Sequence, residues 1–179
     1  MDKYGYTASY MYGKMRQLLQ PYINQYIGYK PDMDMVYPNL YISNFATSCD
    51  KEYLMSIGIT HIVTSIIGIS PNFPEHFTYL QLDIGDTPDY NISDHFEIVN
   101  SFINDALEIP TNKVLVHCMY GISRSVTLVS AYLISKNISK TYTSKNAIDS
   151  IKEFRPIANP NFGFTKQLEL YRLGLLLIQ

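Results

Sequence analysis

Apolar side chains repeat along the chain at two intervals, and the switches between them divide the sequence into elements. Between residues 7 and 20, Met11, Met15, Leu18 and Leu19 fall three and four apart, the spacing of one helix face. Pro21 lacks an amide hydrogen and its ring clashes with the preceding turn, so this helix is predicted to stop or kink there. The stretch 22–33, with Gly28 and Pro31, reads as a connector. Beyond it, short β-rich runs at 41–42, 61–66, 77–82 and 114–116 alternate with helical stretches. The helices fall near 48–57, from a Ser93 N-cap to Leu107, from Ser123 through Leu133, and at about 144–154 and 161–177. In the second of these, Phe96, Ile98, Val99, Phe102, Ile103 and Leu107 are expected to make one apolar face. The alternation predicts an α/β fold: a central, mostly parallel sheet flanked by helices, with an extra N-terminal helix. Two segments follow, 1–34 for helix and connector and 35–179 for the main domain.

Composition narrows the classes. A chain of 179 residues with 46% hydrophobic and 17% charged residues can bury one ordinary core. A net charge of -2, with 14 basic residues scattered along the chain, gives no footprint for nucleic acid. Residues 1–20 lack the apolar centre of a signal peptide, and no stretch is apolar for long enough to span a bilayer. A soluble, cytoplasmic protein with no membrane partner is expected. The two cysteines, Cys49 and Cys118, have neither zinc-site nor disulfide spacing, so a reducing compartment fits and neither metal nor cofactor is called for.

The candidate chemistry sits in one string. The run Val114-Leu115-Val116-His117-Cys118-Met119-Tyr120-Gly121-Ile122-Ser123-Arg124-Ser125 reads as a strand, a tight loop and a helix start. Such a loop can turn the amides of Met119, Tyr120, Gly121, Ile122 and Ser123 inward, and the helix N-terminus adds unpaired donors, so a phosphate dianion is held without a metal. Gly121 supplies backbone freedom. Cys118 at the base of this cradle is expected to be a thiolate at neutral pH, stabilised by the same donors. Arg124 can fold back and grip two phosphate oxygens with its planar fork, which a lysine would do less well. Ser125 can hydrogen-bond to a departing thiolate, and His117 braces the loop rather than acting as a base.

This loop is similar to the His-Cys-x-x-Gly-x-x-Arg-Ser motif of the cysteine-dependent protein tyrosine phosphatases. Two further blocks, Asp86-Thr87-Pro88-Asp89-Tyr90-Asn91-Ile92-Ser93 and Arg155-Pro156-Ile157-Ala158-Asn159-Pro160-Asn161-Phe162-Gly163-Phe164, resemble the small dual-specificity branch, over roughly residues 35–175. The resemblance implies a protein tyrosine phosphatase-like fold and hydrolysis of phosphotyrosine and phosphoserine/threonine through a phospho-cysteine on Cys118. Phosphorylated proteins are the implied partners. It also implies a general acid on a separate loop. Four carboxylates lie there, and the family's spacing selects Asp86, with Asp89 as runner-up, Asp83 inside a strand and Asp94 in a helix's first turn. Asn161 either holds the loop, as the resemblance hints, or caps the last helix. The absence of a tyrosine-bearing recognition loop ahead of the domain implies a shallow pocket open to phosphoserine and phosphothreonine.

Plainer readings stand beside these. A cysteine in an apolar strand is most often packing, and Asp86 alone would read as a turn residue. Cys49 reads as a packed thiol rather than a redox partner. The stripe on the first helix is either core or a face for a homodimer. Rival functions are a phosphatase for inositol phospholipids or RNA 5′ ends, and a binding module without turnover. No lysine in the loop meets a highly anionic head group, and Cys118, Arg124 and Asp86 are all intact.

Overall fold

The computed structural model describes residues 3–178, with side chains from residue 8 onward. Met1, Asp2 and Gln179, at the ends of the two expected segments, lie outside the described residues. A five-stranded sheet runs in the order β1-β2-β5-β3-β4. Its strands are β1 (Met33–Tyr37), β2 (Leu40–Ser43), β3 (His61–Ser65), β4 (Thr78–Leu82) and β5 (Val114–His117). All neighbours are parallel except β1, which returns antiparallel on β2.

Period-two alternation within β5 places the helices. Val114 and Val116 face a large core with Leu40, Ile42 and Val63, whereas Leu115 faces a second cluster with Ile62, Leu54 and Phe77. Helices α4 (Phe96–Leu107), α5 (Arg124–Lys136), α6 (Ser144–Lys152) and α7 (Phe162–Leu177) form the first layer. On the opposite face lies α3 (Lys51–Ile57), preceded by the single turn α2 (Phe45–Ser48). Every residue of α5 from Arg124 to Ile134 is buried. The pairing register brings the carboxyl ends of β2, β3 and β5 together at Ser43, Thr64 and His117, the end of a parallel sheet where ligands are usually bound.

The N-terminal helix differs from expectation. α1 spans Lys3–Tyr26 and continues through Pro21. Proline removes one hydrogen bond, and the turn beyond it is held by other contacts: Asn24 donates to the Ala46 carbonyl (2.9 Å), and Ile27 N to the Ile23 carbonyl (3.2 Å). Nor does its stripe enter the core: Met11, Met15, Leu18 and Leu19 are all exposed, while Gln20 is buried. The helix expected from Ser93 begins earlier, with a 3-10 turn Ile92–His95 in whose N-cap position Asn91 stands. No helix among the described residues is long and apolar enough to cross a membrane.

Candidate active site

The loop between β5 and α5 is shaped from outside. Most of its carbonyls find a donor: His117 O accepts from Ser65 Oγ (2.7 Å), Met119 O from Phe45 N (3.1 Å), and Ile122 O from Asn159 N (2.8 Å). Arg155 donates to Tyr120 O (3.3 Å) and Gly121 O (2.7 Å), and Thr127 N to Ser123 O (2.9 Å). N–H and C=O of a trans peptide point in opposite directions, so outward carbonyls turn these amides inward. Gly121 N accordingly donates to Cys118 Sγ at 3.2 Å. Gly121 has φ +66°, and a Cβ there would sit 2.6 Å from both Ser43 O and Arg155 Nη2, so only glycine fits.

Cys118 is 1% exposed, its sulfur 3.3 Å from Ser125 Oγ. Burial alone would push the thiol up, but the Arg124 charge, the Ser125 hydroxyl and the amides of Ser125 and Ile122 outweigh it and hold the thiol below its ordinary range. Cys49 shows the opposite balance: burial pushes it up to about 12, with only weak help from donors such as Asn72 at 3.4 Å. His117 is driven down to about 3, by burial first, so its ring is neutral. Thr64 Oγ1 lies 2.9 Å from its Nε2 and Phe45 stacks on it.

Arg124, the first residue of α5, donates through Nη1 to Ile84 O (3.1 Å), and its Nε lies 3.4 Å from Asp86 Oδ2. Ser123 occupies the N-cap position of α5 without bonding the helix amides, which leaves them available to an anion. Its hydroxyl donates instead to Asp86 Oδ1 at 2.7 Å. Asn161 Oδ1 accepts from Phe164 N (3.0 Å) as a helix cap, and its Nδ2 donates to Asp86 Oδ1 (3.1 Å). The other acids of that region turn elsewhere. Asp83 accepts from Gly68 N, Asp94 from Asn91, and Thr87 holds Asp89 below the usual carboxylate range. The structure thus brings Asp86 to Arg124 and Ser123, and α7 fixes the segment beyond it through Gln167, which donates to Tyr90 O (2.8 Å) and accepts from Ser93 N (3.0 Å).

A cleft of about 590 Å³ opens over these groups. Arg124, Met119, Asp86 and Thr87 line it, together with Ala8, Ser9 and Tyr12 of α1. A helix ahead of the family-like region thus adds Tyr12 to the lining of the cleft.

Sequence reasoning assigned no role to Arg155, Asp32 or Asp34. The Arg155 side chain is 1% exposed; it forks onto Asp32 (Nη1–Oδ1 2.8 Å, Nη2–Oδ2 2.9 Å) and reaches Asp34 Oδ2 (2.6 Å) while gripping the loop carbonyls. The only sequence signal was an arginine just before Pro156, inside the third block of the resemblance.

The family model described as "Dual specificity phosphatase, catalytic domain" matches residues 40–173. The chain belongs to this family. It is 33% identical over 144 residues to dual specificity protein phosphatase 1B of Arabidopsis thaliana, covering 80% of this chain and 84% of that protein. It is also 38% identical over 141 residues to MAP kinase phosphatase with leucine-rich repeats protein 3 of Dictyostelium discoideum. That match takes in 78% of this chain but spans 16% of the relative's length. Among solved structures, human tyrosine phosphatase-like serine/threonine/tyrosine-interacting protein superposes with a TM-score of 0.71 at 34% identity, covering 82% of this chain and 99% of that one. The fold of the family thus accounts for everything from β2 to most of α7, and α1 lies outside the match.

Proposed function

We propose that the protein hydrolyses phosphotyrosine and phosphoserine/threonine monoesters of proteins through a phospho-cysteine on Cys118. The observation that carries this reading is a buried thiol held below its ordinary range, by the Arg124 charge among other causes, with Arg124 itself beside the Asp86 carboxyl in the lining of the cleft. The phosphate enters the loop, where inward amides and Arg124 take its oxygens and spread the transition-state charge. The thiolate attacks phosphorus as the ester P–O bond breaks, and Asp86 gives its proton to the leaving oxygen. Asp86, now a carboxylate, takes a proton from water, which attacks phosphorus while the S–P bond breaks and phosphate leaves. Ser125 hydrogen-bonds to the thiolate released in that step, and Asn161 and Ser123 position Asp86 throughout.

Steady-state rates on matched phosphotyrosine and phosphothreonine peptides, an inositide and an RNA triphosphate test the reading. Cys118→Ser is expected to abolish turnover, and Asp86→Asn to lower kcat by roughly 10² or more, most for poor leaving groups. Appreciable activity in the serine variant overturns covalent catalysis. A larger loss from Asp89→Asn reassigns the acid, and an inositide or RNA as best substrate moves the activity to other phosphates.

The exposed stripe of Met11, Met15, Leu18 and Tyr22 supports a second proposal, that α1 is the face of a homodimer. These residues recur at helical spacing with no charged residue among them, so a second copy of the same stripe is the complementary surface.

A further inference from the structure

Helix α1 meets the body of the protein backbone to backbone. A Cβ on Gly13 would lie 2.3 Å from Ile67 O, and one on Gly68, whose φ is +77°, would lie 2.6 Å from Tyr10 O. Two glycines thus form a notch in which the helix rests on the segment after β3. Polar contacts fix the register: Lys14 Nζ donates to Ser70 Oγ (2.6 Å), Gln17 Nε2 to Ser70 O (2.8 Å), and Ser70 N returns a bond to Gln17 Oε1 (3.1 Å). Gln17 also reaches Asn72 Oδ1 at 2.8 Å. This docking sets Tyr12 in the lining of the cleft that contains Arg124 and Asp86, beside Ile67 and Ile84. The ring is not consumed by packing, since Tyr12 remains 45% exposed.

A phosphate seated at Arg124 sends its ester group out through this cleft. A phosphotyrosine ring would stay within the cleft and meet aromatic and aliphatic side chains there, whereas the short, polar-flanked stem of phosphoserine or phosphothreonine offers them little surface. We propose that α1 is a specificity wall and that Tyr12 is the residue that tilts the site toward phosphotyrosine. The inference rests on the phosphatase reading above and adds to it a preference among its substrates. The stripe described for self-association does not include Tyr12, so the two uses of α1 involve different residues.

The test is the ratio of kcat/KM for two peptides that differ only in carrying phosphotyrosine or phosphothreonine, measured on the full chain. Tyr12→Ala is expected to lower the phosphotyrosine-to-phosphothreonine ratio by about tenfold, chiefly through KM, and Tyr12→Phe to keep it near the wild-type value, because stacking needs the ring and not the hydroxyl. Gly13→Val, which forces the helix off Ile67 without altering any side chain of the cleft, is expected to lower the ratio in the same direction. Circular dichroism accompanies both, so that a ratio read on a folded variant is compared with a folded wild type. An active wild type whose ratio is unmoved by Tyr12→Ala overturns this proposal alone. A wild type inert toward both peptides overturns the phosphatase reading and this proposal with it.

Discussion

At the level of single residues, the two cysteines make the physical contrast plainest. Both are buried among apolar neighbours, yet one thiol is held down by a guanidinium, a hydroxyl and backbone amides while the other is pushed up to about 12. A depressed thiol stays ionised as pH falls, so alkylation by iodoacetate is expected to follow a curve whose midpoint lies below the ~8.5 of a free cysteine, with inorganic phosphate protecting. Cys118→Ser should remove that fast phase, and mass spectrometry should find Cys49 unmodified in the folded protein at neutral pH. A midpoint at or above that of free cysteine would contradict an activated sulfur. The placing of Cys118 beside Ser125, and of Arg124 at the start of α5, was readable because it follows from positions within a single strand-loop-helix string. The selection of Asp86 needed the family resemblance, since four carboxylates in that region are equivalent to composition and spacing alone. Arg155 was not readable: its meaning depends on Asp32 and Asp34, more than a hundred residues away, and on carbonyls whose orientation no sequence pattern records.

At the level of elements, the catalytic loop is held by segments that themselves do no chemistry. Arg155 ties the loop to two of them, the connector before β1 and β1 itself. Replacing it by methionine leaves Asp32 and Asp34 facing each other with no cation and two loop carbonyls without donors. Arg155→Met is expected to cost about 3 kcal/mol in urea unfolding and to weaken inhibition by phosphate, and Arg155→Lys to rescue little because an ammonium cannot reproduce the fork. Unchanged phosphate inhibition in a folded variant would show that the loop keeps its shape unaided. The helices α4, α6 and α7 and the strands β3, β4 and β5 were legible from periodicity, with ends displaced by a few residues. Two elements were not. β1 is a short antiparallel edge strand whose residues are mostly exposed or half-buried, so it carries little hydrophobic signal. The continuation of α1 past Pro21 depends on Asn24 reaching Ala46, a tertiary contact that overrides a local rule.

For the whole molecule, the exposed stripe and the cleft-lining Tyr12 lie on one helix, α1. If the stripe pairs with its copy, light scattering should report about twice the monomer mass for the full chain, shifting to monomer when Met15 and Leu18 are both changed to serine. A monomer in both cases would leave the stripe without a partner of its own kind. The α/β class was legible throughout, because alternating strand and helix patterns leave few ways to bury both faces of a sheet. The seating of α1 was not, because it turns on Gly13 meeting the Ile67 backbone and Gly68 the Tyr10 backbone, across more than fifty residues.

The position of α5 carries a last implication. The helix that presents the guanidinium to the cleft has no exposed residue along its first three turns and fills the centre of the larger core. The guanidinium proposed to grip phosphate is therefore anchored in the innermost part of the molecule rather than draped over its rim. Heating or denaturant cannot melt the reactive stem while sparing the rest, so competence to react and the integrity of the whole should vanish together.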